Sequence, residues 1–156
     1  MAALVYVAGF ASEAGETAAE LSGRFPGGTL GPTLTPPVPL SDGGADLYIQ
    51  QDKFHAQFAA DVPEADAKLM AATQRPITVA ALNDPSGPPA WKSIPSWSIY
   101  GDLDLNIPPA ALAFMAERAG AKANIEVKGA SHVVMVSNPR AVAEVIRSAA
   151  DVAVSA

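Results

Sequence analysis

One histidine and two aspartates stand where a parallel sheet would bring them together. His132 lies in "GASHVVM", after a short β-branched run, and Asp102 and Asp104 lie in "GDLDLNIP", after the earlier predicted strand "SWSIYG". Loops at the carboxyl ends of adjacent parallel strands are neighbours. A carboxylate bonded to one imidazole nitrogen fixes the tautomer and leaves the other nitrogen free to act as a base. This arrangement therefore predicts a proton-transfer pair.

Such a base needs water or a hydroxyl group to activate. Ser12, in the loop "GFASEAGE" after the first apolar run, is the candidate nucleophile, although a serine at this place also suits a turn or a helix cap. Ser131 directly precedes His132. Neighbours in sequence seldom face one another well enough to act as nucleophile and base, so we interpret Ser131 as a loop residue.

A metal site is the alternative use of the same residue types. Two histidines and a carboxylate can hold zinc or iron, and the chain has two histidines, His55 and His132, that an aspartate would complete. Such a site would activate water without a serine. These residues show no diagnostic local spacing, and His55 also suits an amphipathic helix. The leading interpretation therefore includes no metal and no cofactor.

Alternating strands and helices would position these loops. Three strands are predicted, "ALVYVAG", "SWSIYG" and "ANIEVKG", and the first reads as a strand buried on both faces. Three helices follow them, "ETAAELSGRF", "PPAALAFMAERAG" and "NPRAVAEVIRSAADVA". Thr17 and Glu20 predict a capping box, Gly120 a helix stop, and Asn138 an N-cap. This order predicts an α/β fold with a short parallel sheet flanked by helices.

The middle of the chain differs in composition from both ends. Residues 26–44 are dense in proline and glycine and are predicted to lack regular structure. Residues 46–83 are predicted to be helical. We expect a single domain over residues 1–156, with residues 45–90 as a helical insertion.

Bulk composition excludes several classes of protein. With 49 % hydrophobic residues in 156, the chain is long and apolar enough to bury a core. The absence of cysteine excludes disulfides, thiol catalysis and cysteine-zinc sites. It suits a reducing compartment, so we expect a cytoplasmic protein. The net charge of −6 disfavours nucleic acid, and the apolar runs are too short to span a membrane. The expected partner is a small-molecule substrate.

Two segments resemble the C-terminal part of the α/β-hydrolase superfamily, in its esterase-like branch. They are "SWSIYGDLDLNIPPAALAFMAERAG" and "VKGASHVVMVSNPRAVAEVI". The family pattern G-x-x-D-x-x-x-P is matched by Gly101, Asp104 and Pro108, and G-x-S-H by Gly129, Ser131 and His132. The resemblance implies a partial α/β-hydrolase fold in which the insertion over residues 45–90 is a helical cap. It also implies that His132 is the triad histidine and Asp104 its acid.

The nucleophile of that family is missing. Its G-x-S-x-G elbow occurs nowhere in the chain, and neither does an HGGG-like oxyanion loop. The chain therefore resembles a truncated hydrolase. We expect hydrolysis of small ester-like substrates, with His132, oriented by Asp104, acting as general base on water or on Ser12. A non-catalytic fragment or small-molecule binding module is the alternative.

Truncation has a structural consequence for the first strand. Its outer edge would be open, long and apolar, and such edges pair with other chains. We therefore expect a homodimer or higher oligomer formed through this edge.

Overall fold

The computed structural model describes residues 2–154. Its strands and helices, in chain order, are β1 (Leu4–Val7), α1 (Ala18–Arg24), β2 (Val38–Pro39), β3 (Ala45–Leu47), α2 (Gln51–Phe58), α3 (Glu64–Thr73), β4 (Ile77–Thr78), α4 (Val79–Asn83), β5 (Ser96–Gly101), α5 (Pro109–Arg118), β6 (Ala123–Val127), α6 (Val134–Ser137) and α7 (Pro139–Val154). Short 3-10 helices occupy Gly31–Thr33 and Ala90–Lys92. None of the helices in residues 2–154 is long and apolar enough to cross a membrane.

The main sheet has the order β1-β5-β6, and both pairings are parallel. All six residues of β5 are buried, as expected for the central strand of a covered sheet. Helix α7 packs against β1 and β5, and α5 packs against β5 and β6. The predicted α/β class, with a short parallel sheet flanked by helices, is confirmed.

Strand β1 is less buried than its sequence predicts. Its four residues are only half-buried, so the expectation of a strand buried on both faces is wrong. The reason is its position at the edge, because β5 is its one hydrogen-bonded neighbour in the described part of the chain. A homodimer through the outer edge of β1 stays a prediction.

Local signals set the ends of the helices as expected. The Thr17 side chain accepts a hydrogen bond from the Glu20 backbone, and the Glu20 side chain accepts one from the Thr17 backbone, so the capping box is present. Gly120, two residues beyond α5, has a φ of +59°, a left-handed conformation that favours glycine. Helix α7 begins at Pro139, as predicted, and the role of Asn138 as its N-cap stays a prediction.

A second, small sheet was not predicted from the sequence. β2, β3 and β4 form an antiparallel sheet of two- and three-residue strands. β2 interrupts the segment predicted to be irregular, and β3 and β4 interrupt the segment predicted to be helical, which otherwise forms α2, α3 and α4. Strands this short carry no readable period, and β3 pairs with a strand about 30 residues away. The boundaries of the cap at 45–90 stay a prediction.

Candidate functional site

The structure brings Asp104 and His132 into contact. Asp104 lies in the loop after β5 and His132 in the loop after β6, the adjacent strand. The His132 Nδ1 atom lies 2.7 Å from Asp104 Oδ2. An ionised carboxylate can only accept hydrogen bonds, so Nδ1 carries the hydrogen and donates it. The other ring nitrogen, Nε2, is then an acceptor, which is the form that a general base needs.

The Asp104 carboxylate is fixed on both of its oxygen atoms. Oδ1 accepts hydrogen bonds from the backbone N–H groups of Asn106, at 2.8 Å, and Ile107, at 2.9 Å. The residue is only 1 % exposed. A buried carboxylate is stable only when its oxygens are hydrogen-bonded. Here the loop backbone binds Oδ1 and the His132 imidazole binds Oδ2. Asp104 is therefore held in a single orientation toward His132.

The two loops meet because Gly101 has no side chain. A Cβ atom at Gly101 would lie 2.1 Å from the carbonyl oxygen of Ala130. Two hydrogen bonds join the loops at the same place. The Leu103 N–H donates to the Ala130 carbonyl at 3.0 Å, and the Gly129 N–H donates to Asp102 Oδ1 at 2.7 Å. Asp102 thus ties the two loops together beside the pair.

A mainly apolar cavity of about 230 Å³ lies beside His132. Its apolar lining consists of Phe10, Leu30, Leu34, Leu47, Ile49, Phe58, Ile77, Leu82 and Ile107, and its polar lining of Ser22, Gln74, Asn106 and His132. The Phe58 ring lies 4.8 Å from the His132 ring, centroid to centroid. Mainly apolar cavities with a few polar groups bind small organic molecules. His132 therefore borders a space suited to an uncharged, apolar group.

Ser12 is not among the residues that line this cavity. It lies in the loop after β1, and its carbonyl accepts a hydrogen bond from Trp91 Nε1 at 3.0 Å. The same loop contributes Phe10 to the cavity. A serine that the sequence did not single out, Ser22 of α1, lines the cavity instead. The role of Ser12 as nucleophile stays a prediction.

An ion pair anchors the loop after β1. The Arg118 guanidinium donates two hydrogen bonds to the Glu16 carboxylate, at 2.7 and 2.8 Å, and one to the Ala11 carbonyl at 3.0 Å. The hydrogen bond from Arg118 outweighs partial burial and lowers the pKa of Glu16 below its usual value. Arg118 also lies 4.9 Å from the centre of the Phe114 ring. This anchor fixes the loop that supplies Phe10.

The alternative metal set is not assembled. His55 Nε2 lies 2.9 Å from the Val62 carbonyl oxygen, so this ring nitrogen is bonded to the segment after its own helix. Across residues 2–154, no three histidine, aspartate or glutamate side chains cluster in a way that could hold a metal ion. The interpretation of His55, His132 and an aspartate as joint ligands is therefore wrong, because the fold does not place them around one point.

Two polar residues near the site were missed by sequence reasoning, Gln57 and Asp61. Gln57 is 4 % exposed, and Asp61 accepts a hydrogen bond from the Ser131 hydroxyl. A signal was present in the sequence. In the sequence, Gln57 and Asp61 stand three and seven residues after Phe54, the spacing of one helix face, although α2 ends at Phe58 before it reaches Asp61.

Comparison with known proteins supports the family resemblance. A model of the alpha/beta hydrolase family matches residues 1–145. A search of curated proteins gives no match.

Several solved structures share the fold. A variant of polyneuridine aldehyde esterase has a TM-score of 0.73 at 13 % identity, over 94 % of this chain and 61 % of that one. A methylesterase from Arabidopsis has a TM-score of 0.67 at 17 % identity, over 95 % of this chain and 58 % of that one. A pyrethroid hydrolase from Sphingobium faniae has a TM-score of 0.65 at 19 % identity, over 96 % of this chain and 61 % of that one.

This chain thus spans about three fifths of the length of these three structures. The family match and the shared fold confirm the resemblance seen in the sequence: the chain belongs to the alpha/beta hydrolase family.

Proposed function

We propose that this chain hydrolyses small, uncharged esters, with His132 as the general base and Asp104 as the residue that orients it. One observation carries the proposal. The Nδ1–Oδ2 contact of 2.7 Å leaves His132 Nε2 as an acceptor, and His132 lines a mainly apolar cavity. The structural neighbours include proteins named as esterases and hydrolases, which favours ester chemistry for this pair.

The proposed reaction needs two proton transfers at one imidazole. His132 Nε2 takes a proton from the attacking water, or from Ser12 if that serine reaches the ester. The attacking oxygen bonds to the ester carbonyl carbon. When the tetrahedral intermediate collapses, the carbon–oxygen bond to the leaving group breaks, and the imidazolium returns the proton to the departing alcohol. If Ser12 attacks, the acyl group stays on its oxygen, and a water activated by His132 then repeats both transfers, which breaks the bond to Ser12 and releases the acid. The Asp104 carboxylate stabilises the imidazolium between these two steps.

The cavity defines the proposed substrate class. Nine of its thirteen lining residues are apolar, and apart from His132 none carries an ionisable group of the acidic or basic type. Burial of each methylene group contributes about 0.8 kcal/mol, which corresponds to roughly fourfold in kcat/KM. We therefore expect kcat/KM to rise by about this factor for each carbon added to the acyl chain, until the cavity is full.

Turnover should be slow. The chain contains neither G-x-S-x-G nor an HGGG-like loop, and loss of one oxyanion donor typically costs about 10² to 10³ in rate. A positioned base alone supplies about 10² to 10⁴. The expected activity is therefore a weak esterase activity that depends on a single histidine.

The test compares p-nitrophenyl butyrate hydrolysis by the wild type, His132→Ala and His55→Ala. We expect His132→Ala to lose about 100-fold. His55→Ala is the matched control, because it removes the other histidine of the chain, which bonds to the Val62 carbonyl. Equal rates for all three proteins would refute the proposal.

A second candidate is a non-catalytic binder of small apolar molecules. It is favoured by the presence of the cavity in a chain without the nucleophile elbow. Calorimetry with a non-hydrolysable amide analogue of the ester tests it. Binding without turnover, unchanged in His132→Ala, would favour this function over hydrolysis.

A further inference from the structure

The end of helix α2 reaches both loops of the Asp104–His132 pair. Three residues make these contacts, Gln57, Phe58 and Asp61, and we call them the clamp. Gln57 and Phe58 close the helix, and Asp61 follows three residues after its last residue. None of the three belongs to the sheet that carries the pair, so the clamp links a separate element to both loops.

Gln57 binds the loop that holds Asp104. Its side-chain amide donates to the Leu105 carbonyl at 2.9 Å and to Asn106 Oδ1 at 3.0 Å. Its carbonyl oxygen accepts from the Thr29 hydroxyl at 2.9 Å. Asn106 is also one of the two residues whose backbone N–H groups bind the Asp104 carboxylate. Gln57 therefore fixes the loop backbone that orients Asp104.

Asp61 binds the loop that holds His132. Its carboxylate accepts a hydrogen bond from the hydroxyl of Ser131, the residue before His132. The Ser131 backbone N–H and the Ser137 side chain also act on this carboxylate and lower its pKa. Burial raises the pKa of Asp61, but these hydrogen bonds outweigh it and hold the pKa below its usual value. At neutral pH the carboxylate is thus ionised, and charge-assisted hydrogen bonds are the stronger kind.

Phe58 stands between Gln57 and Asp61 in the sequence. Its ring contacts the His132 ring at 4.8 Å between centroids, and its carbonyl oxygen lies 3.3 Å from the Ser131 hydroxyl. Within the clamp, only Phe58 lines the cavity, whereas Gln57 and Asp61 do not. The side chains of Gln57 and Asp61 therefore contact the loops and not the cavity that would hold the substrate.

We propose that Gln57 and Asp61 are positioning residues, which set the distance between the Asp104 loop and the His132 loop and so hold the base in its working orientation. This inference rests on the proposed function for its kinetic consequence. Misplacement of a catalytic group by about 1 Å can cost about 100-fold in rate. Because the two residues lie outside the cavity lining, their loss should lower kcat and leave KM unchanged.

The test uses Asp61→Asn, with Asp66→Asn as the matched control. Asp66 is an exposed aspartate on the neighbouring helix α3, so its substitution makes the same chemical change without touching either loop. We expect Asp61→Asn to lower kcat for p-nitrophenyl butyrate by about 10-fold or more, with KM within about twofold of the wild type. Asp66→Asn should match the wild type.

A second readout separates the clamp from the function. Long-range ¹H–¹⁵N NMR reports which His132 ring nitrogen carries the hydrogen, whether or not the protein turns over an ester. We expect Asp61→Asn to shift His132 away from the pure Nδ1–H form, and Asp66→Asn to leave it unchanged. If the wild type does not hydrolyse the ester but Asp61→Asn shifts the His132 resonances, the proposed function is refuted and the positioning role of Asp61 is supported. If the wild type is active and Asp61→Asn changes neither kcat nor the resonances, the clamp is refuted.

A milder variant covers the case in which Asp61→Asn does not fold. Ser137→Ala removes a hydroxyl that lowers the pKa of Asp61 and lies outside the pair itself. We expect a loss in kcat of about two- to fivefold at constant KM, in the same direction as for Asp61→Asn. A Ser137→Ala protein with wild-type kcat and wild-type His132 resonances would overturn the proposal.

Discussion

Substitution of Gly101 by alanine should separate the two loops that carry the pair. The new Cβ atom would lie 2.1 Å from the Ala130 oxygen and 2.6 Å from the Ser131 oxygen, both of them backbone atoms. An ordinary contact begins at 3.4 Å, so the His132 loop must move by about 1.3 Å (3.4 − 2.1). No side-chain rotation can relieve the clash, because backbone atoms make it.

Gly101→Ala should lose folding stability for two reasons, overpacking and broken hydrogen bonds. Overpacking of a buried site costs about 1–3 kcal/mol. A shift of this size also breaks the Leu103–Ala130 and Gly129–Asp102 hydrogen bonds, each worth about 1 kcal/mol. We therefore expect Gly101→Ala to lower the free energy of unfolding by about 3–5 kcal/mol.

Urea unfolding, followed by circular dichroism, measures this loss. Gly23→Ala is the matched control, because Gly23 lies in helix α1 with no atom within 4 Å of an added Cβ. It should raise the stability by about 0.5–1 kcal/mol through helix propensity. A Gly101→Ala protein within about 1 kcal/mol of the wild type would show that the close approach of the two loops is not what we describe.

Two further predictions concern the loop anchor and the sheet edge. Because the pKa of Glu16 is lowered in the folded state, its ion pair with Arg118 stabilises the protein above the unfolded pKa of about 4.3, and this contribution is lost as the pH falls through the folded value. Glu16→Gln should therefore lower the free energy of unfolding by about 1–3 kcal/mol at pH 7. Urea unfolding at lower pH should show a smaller difference in this free energy between variant and wild type. A difference that does not change with pH would contradict the prediction. At the open edge of β1 we expect a dimer of twice the 16.0 kDa chain mass in light scattering, and a monodisperse monomer would contradict that expectation.

The parts of the fold that sequence predicted are those with local signals. β5 carries the strand-forming residues Trp97, Ile99 and Tyr100, and α5 is followed by Gly120 in a left-handed conformation. The pairing of Asp104 with His132 could also be predicted, because parallel neighbouring strands deliver their following loops to one edge. In each case the information lies within the element or in the topology that links two adjacent elements.

The missed features depend on contacts between distant segments. Gln57 and Asp61 look like interruptions of an apolar stripe, and their partners Leu105 and Ser131 lie 48 and 70 residues further along the chain. The path of the loop that carries Ser12 is likewise set by side chains about 80 to 110 residues away. No local period or composition encodes such pairings, so the position of Ser12 relative to the cavity could not be predicted.

The hydrogen position on the His132 ring tests the central claim most directly. The chain has two histidines, so a long-range ¹H–¹⁵N spectrum contains two ring systems, and the spectrum of His55→Ala assigns them. At about pH 8.5, above the usual titration range of histidine, we predict that His132 carries its hydrogen on Nδ1, facing Asp104, with Nε2 unprotonated. A spectrum in which His132 carries the hydrogen on Nε2, or exchanges freely between the two forms, would contradict the account.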